Sequence, residues 1–231
     1  MFRSVEQTWS AVLLLRCQLL TTGKAIEWKA GCMRSLHAIA GFFLFFELPI
    51  PLYWVMLHPF NAFWRTRVRT AFWVAGITAW TAGGVILWLA RRYLLSSMRP
   101  SWFAIAAGLA LIATEIYLFV RVERELGSRR LVGHAELTGK GELFAGGLYA
   151  YVRHPRYTGM FCAVAGAALI GGTKMLWAIL AVWGLAALLV IRLEERELEA
   201  RFGASYSEYR RRVPAFLPLN FKKRHATKRA P

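Results

Sequence analysis

Apolar residues run along this chain in long stretches, and polar ones gather between them. A helix needs about 20 mostly apolar residues to cross the hydrocarbon core of a bilayer. Segments 36–57, 70–90 and 102–120 meet that length. A further apolar region, 156–191, is too long for one comfortable span, and "GGTK" at 171–174 interrupts it. The pattern predicts two short helices there, 156–171 and 175–191, joined by a tight turn. The expected fold is all-α: a polytopic transmembrane helix bundle of about five spans with a C-terminal helical hairpin. Pro49 and Pro51 should kink the first span. After Ile191 the helical spacing continues into water up to about Phe202, where Gly203 can end it. The chain thus reads as an N-terminal segment 1–35, a three-span region 36–120 and a region 121–231.

Composition supports the membrane reading. Hydrophobic residues make up 57% of the chain, against about 45–50% in soluble domains, and the mean hydropathy is +0.38. A net charge of +17 would point to nucleic acid in a soluble chain. Here the basic residues lie between apolar runs, so membrane lipid headgroups and topology account for them, and no nucleic-acid partner is expected. Segments 58–69, 121–158 and 192–231 hold 21 lysines and arginines, and the remaining connections hold nine. That bias places the C-terminus and the long connection 121–155 on the cytoplasmic side, with the N-terminus outside. Five basic residues in 1–35 oppose it; an interfacial helix there would allow another arrangement. The N-terminal "AVLLLRCQLL" is short and charged, unlike a cleavable signal peptide. Cys17, Cys32 and Cys162 have no metal-like spacing and no paired pattern, so neither a metal nor a disulfide framework is expected.

The chemistry-bearing stretches lie on one predicted face. In "YVRHPRYTG", 151–159, the residue before proline is pushed toward extended geometry, and proline favours the first helical turn. His154 is then extended, Pro155 starts a helix, and Arg153 and His154 sit at its mouth. Tyr157 follows one turn in, and Gly159 permits close approach of a neighbour. Tyr151 and Arg156 fit a headgroup anchor. The second stretch, "LEERELEARFGASYSEYRRRVPAFLP", offers local pairs, Arg192 with Glu195 and Glu197 with Arg201. Such pairs explain Glu197 but leave Glu194 at a membrane exit, where adjacent carboxylates need a cation.

Together, "GLYAYVRHPRYTG", a short apolar hairpin, the paired glutamates and "FG..Y..Y...VP" resemble the isoprenylcysteine carboxyl methyltransferase family of membrane methyltransferases, over about residues 139–218. The resemblance implies S-adenosylmethionine bound at the cytoplasmic side by the histidine motif, the paired acids and the C-terminal tail. Carried over by position, His154, Tyr157, Tyr149, Glu194, Glu195 and Tyr209 become cofactor-binding candidates. Arg153, Arg212 and Glu195 become catalytic candidates, the arginines to orient an acceptor carboxylate. Tyr206 and Pro214 also match the C-terminal pattern. "GGLY" stands where many members have Gly-Pro-Tyr, and Ala215 where a basic residue is common.

Glu47 and Glu115 lie inside apolar runs. Intramembrane acids are functional candidates by default, here for a substrate tunnel, unless an arginine or lysine from another span pairs them. The leading expectation is methyl transfer from S-adenosylmethionine to a lipophilic or lipidated acceptor, with the carboxylate of a prenylated cysteine as one candidate. An NADPH-dependent membrane reductase of the sterol type carries a similar Arg-His-Pro-x-Tyr element, and a non-catalytic lipid-binding membrane protein is a third alternative.

Overall fold

The computed structural model describes residues 31–94, 100–127, 130, 133–138 and 142–217. The chain divides into two compact units, one ending at Ile39 and one beginning at Ala40. In the first, the described residues 31–39 are helical. Apart from the first residues of α1, all that follows concerns the second. The expected N-terminal segment lies mostly outside the described residues, as does the basic tail from 218 on.

Among the described residues, five long helices carry the fold. They are α1 (Gly31–Leu57), α2 (Val68–Leu94), α3 (Trp102–Leu126), α4 (Pro155–Gly171) and α5 (Lys174–Phe202). A short α6 (Ala204–Arg212) follows. The described residues contain no strand, in line with the all-α expectation. Four helices, α1, α2, α3 and α5, are long and apolar enough to cross a membrane. The described residues thus supply four such helices, against an expectation of about five spans that takes α4 as a short fifth. At 17 residues, α4 is about 25 Å long, short of the roughly 30 Å hydrocarbon core. Most of its residues are buried, so neighbouring helices enclose it.

Local chemistry sets the helix ends. Pro155 takes the first position of α4, and Gly172, at φ 66°, closes it. The Thr173 side chain then caps α5, accepting from the Leu176 backbone. Gly203, at φ 52°, ends α5 after Phe202. In α1 the helix breaks at Leu48 and Pro49 and resumes as Ile50–Leu57. Pro51 has no N–H to donate one turn back to the Glu47 carbonyl. The Trp183 indole N–H fills that vacancy at 3.0 Å.

Small residues allow the helices to approach. Ala71, Ala75 and Ala79, spaced one turn apart on α2, are fully buried against Tyr53 and Leu57 of α1. At the crossing of α3 and α4 the backbones touch: a Cβ on Gly108 would lie 2.8 Å from the Gly166 carbonyl oxygen, and one on Gly166 2.6 Å from that of Gly108. Neither contact is a flexible side chain, so the helices themselves must separate. Gly166→Ala is expected to destabilise the bundle by about 1–3 kcal/mol, read as a lower unfolding temperature in detergent. Large apolar side chains such as Trp73, Trp88, Phe103 and Leu185 point outward, as lipid-facing residues would.

Candidate active site

The site forms where α3, α4 and α5 meet the connection 127–154 and α6. His154, at φ −125° and ψ 59°, precedes Pro155 in a non-helical backbone, although its ψ falls short of the extended geometry expected. Arg153 and His154 then pair main chain to main chain with the C-terminal segment: Arg153 N–H donates to the Pro214 carbonyl at 2.8 Å, and His154 N–H to that of Ala215 at 3.0 Å. Position 215, unusual in its residue type, thus acts through its backbone.

Glu195 is the hub of the side chains. Arg153 donates to its Oε1 from Nε at 3.0 Å and from Nη2 at 2.7 Å. The same oxygen lies 3.1 Å from His154 Nε2, and Arg210 Nη2 is 3.5 Å from Oε2. Arg153 Nη1 donates to the carbonyls of Arg210 at 3.1 Å and Val213 at 2.6 Å. Two cations and a histidine around one nearly buried carboxylate meet the cost of desolvating it. The Glu194 carboxylate, one residue away, faces the other histidine nitrogen, with Oε2 3.9 Å from His154 Nδ1.

Beside this hub is a pocket partly open to solvent. Phe144 and Tyr149 of the connection, Tyr157 and Met160 of α4, Glu194 and Phe202 of α5, and Tyr206 and Tyr209 of α6 line it. Tyr209 donates its hydroxyl to the Tyr149 carbonyl at 2.7 Å and so pins the turn Gly147–Ala150. That turn rests on Glu125 of α3, whose Oε2 accepts from Leu148 N–H at 2.9 Å. Gly147, at φ 52°, has the Glu125 carboxylate where a Cβ would stand. The "GGLY" departure therefore has a partner in α3. Tyr206 is buried, and its hydroxyl has no partner among the described residues. Burial, with the Glu194 charge second, pushes the Tyr149 phenol up. Burial, with Glu195 second, does the same for Tyr206. Both remain neutral donors at neutral pH.

Of the residues singled out in the sequence, Arg153, His154, Tyr157, Tyr149, Glu194 and Tyr209 line the pocket. Glu195 stands behind His154 and Arg153. Arg212 does not join them: its side chain is 68% exposed and lies 3.7 Å from Glu208. Beyond the local pairs expected on α5, its acids take distant partners. Glu195 is taken as described, and Glu197 accepts from Asn61 at 2.6 Å and meets His58 Nδ1 at 2.9 Å. Glu47 and Glu115 share one arginine, Arg156, which also lines the pocket. Sequence reasoning had offered Arg156 as a headgroup anchor and had passed over Glu125 and Trp54. Nothing in local spacing marks those three.

Residues 103–205 match the family model described as phospholipid methyltransferase. This region is similar to the phospholipid methyltransferase family. It runs from the start of α3 into α6 and holds most of the pocket. Among curated proteins, the chain is 39% identical over 79 residues to protein-S-isoprenylcysteine O-methyltransferase of Schizosaccharomyces pombe, covering 33% of each chain. It is 37% identical over 82 residues to methanethiol S-methyltransferase 2 of Bradyrhizobium diazoefficiens, covering 36% of this chain and 31% of that one. The chain thus aligns with about a third of the length of the curated relatives it matches. No solved structure matches it at a comparable level. The family resemblance read from residues 139–218 agrees with these matches, and α1 and α2 lie outside the phospholipid methyltransferase region.

Proposed function

We propose that this protein is a membrane methyltransferase that binds S-adenosylmethionine in the pocket beside His154 and transfers its methyl group to a lipophilic acceptor. The observation carrying the reading is a mixed polar and aromatic pocket, within the phospholipid methyltransferase region, at one end of a bundle of apolar helices. The donor set suits the cofactor. The Glu194 carboxylate matches an ammonium or ribose hydroxyls, and the buried Tyr206 hydroxyl, without a partner among the described residues, matches a polar atom. Phe144, Tyr149, Tyr157 and Phe202 offer faces for a flat base or a cationic sulfur. Arg130 and Arg201 bring positive charge toward a carboxylate.

When bound, the cofactor supplies a methyl carbon activated by its positively charged sulfur. The chain's own part is alignment and the exclusion of water. His154, held through Nε2 by Glu195, presents its other nitrogen on the Glu194 side. Arg153 ties the C-terminal segment across the start of α4, which closes one wall. Tyr209 fixes the turn bearing Tyr149, which closes another. The charge bias of the connections supports a cytoplasmic position for this face, with the acceptor entering from the bilayer.

Purified protein in lipid nanodiscs is expected to bind S-adenosylhomocysteine saturably and to transfer labelled methyl from S-adenosylmethionine into a membrane lipid extract. His154→Ala should weaken that binding about tenfold, the worth of roughly one charge-assisted hydrogen bond. Tight NADPH binding, with no affinity for either sulfur compound, would overturn the reading.

A further inference from the structure

One end of the pocket abuts a charge cluster that the proposed cofactor contacts leave unused. Arg156, in the first turn of α4, donates through Nη1 to Glu115 of α3. Its Nη2 lies 3.3 Å from both oxygens of Glu47 on α1. The guanidinium also sits over the Phe119 ring, 5.0 Å from its centroid. Gly159, one turn further, leaves room for the Glu115 carboxylate, which lies where a Cβ would be. Both acids are almost wholly enclosed, 5% exposed for Glu47 and 2% for Glu115. The second oxygen of Glu115 has no partner among the described residues. Arg156 alone of the three lines the pocket, next to Tyr157, Met160 and Trp54.

We infer that Glu47 and Glu115 set the charge class of the methyl acceptor, so that this end of the pocket accepts an alkyl chain bearing an uncharged or cationic headgroup and rejects a carboxylate. The inference rests on the proposed function for what the pocket is for. Its physical basis is charge balance. Two carboxylates share one guanidinium, so the cluster is net negative, or neutral when it holds one proton. It becomes net positive only if both acids are protonated. An incoming carboxylate would have to share Arg156 with two buried acids, in surroundings where like charges repel more strongly than in water. An ammonium or hydroxyl headgroup meets no such repulsion. The other arginine at the start of α4 is largely engaged, because Glu195 and two main-chain carbonyls take four of the five N–H donors of Arg153, and the proposed cofactor carboxylate takes Arg130 and Arg201. Arg212 lies outside the pocket. Trp54 and Met160 supply apolar wall for the chain.

The test uses the full chain in nanodiscs of uncharged lipid, with empty nanodiscs as the partition control. Octylamine, octanol and octanoate share one chain length and differ in headgroup charge. The parent protein should bind the first two about tenfold more tightly than octanoate, the effect of about one uncompensated charge at intermediate dielectric. Glu47→Gln with Glu115→Gln keeps volume and hydrogen-bond acceptors but frees the charge of Arg156. It should bring octanoate level with octylamine or ahead of it. Should the double variant fail to fold, Glu47→Gln alone is expected to move the ratio the same way, by about threefold. Octanoate binding as tightly as octylamine to the parent, or a ratio unmoved by the substitutions, overturns the inference. S-adenosylhomocysteine binding is measured on the same samples. Its absence with the headgroup preference intact counts against the methyltransferase reading alone, and its presence without the preference counts against this inference alone.

Discussion

Glu195→Ala is expected to release the C-terminal segment from the start of α4 and to abolish binding of S-adenosylhomocysteine. The carboxylate accepts twice from Arg153, meets His154 Nε2, and lies within reach of Arg210. The side chains of Arg153 and His154 are 11% and 3% exposed, so water cannot replace what is lost. Removing one partner of a buried pair costs about 3–5 kcal/mol. The lower end applies here, since Arg153 keeps its bonds to the Arg210 and Val213 carbonyls. His154 would then lose the contact that sets its ring, and residues 204–217 the acid that gathers them. Limited proteolysis should report new cleavage within 204–217, alongside a lower unfolding temperature. Glu195→Gln retains an acceptor for Arg153 and should lose about half as much. The adjacent Glu194 provides the contrast. It lines the pocket without clasping Arg153, so Glu194→Ala should weaken cofactor binding while leaving the segment protected. Equal loss of binding in both variants with no change in proteolysis would break the distinction between a docking acid and a contacting one.

What the sequence revealed was what local rules govern. Pro155, Gly172, Thr173 and Gly203 mark helix ends by their own backbone and capping preferences, and those ends fall within a residue or so of expectation. The break in α1 at Pro49 followed from the same chemistry. The order of the Arg-His-Pro element, the hairpin and the paired acids also carried the family. Partners drawn from distant helices stayed hidden. Spacing on α5 alone pairs Glu197 with Arg201, yet His58 and Asn61 reach Glu197 from far back in the sequence. Glu125 supports the turn before Tyr149 across the connection. Motif position put Arg153 and Arg212 in one class, whereas burial separates them: one is tied down by Glu195 and two carbonyls, the other is in solvent. Hydropathy alone does not distinguish a helix walled in by its neighbours from one that faces lipid, and α4 is of the first kind.

Arg156→Ala should be the most damaging single change in the helix bundle. It would leave Glu47 and Glu115 facing each other, each almost wholly enclosed, with no cation between them. Breaking a buried pair in this way costs about 3–5 kcal/mol, and the absence of water at that depth gives the acids little relief. Most of this cost is the charge left behind, because the lost contacts of the arginine itself are few. The combined variant Arg156→Ala, Glu47→Gln, Glu115→Gln should therefore recover most of the lost stability, although it carries three substitutions instead of one. A merely structural account, in which Arg156 matters for its bulk over Phe119, predicts the opposite order, with the triple variant the worst. Unfolding temperature in detergent and the yield of monodisperse protein decide between them. An Arg156→Ala protein as stable as the parent would mean that the three charges contribute nothing to the assembly of α1, α3 and α4. The expected pattern would instead identify the cluster as the device joining α1, which lies outside the phospholipid methyltransferase region, to the two helices inside it.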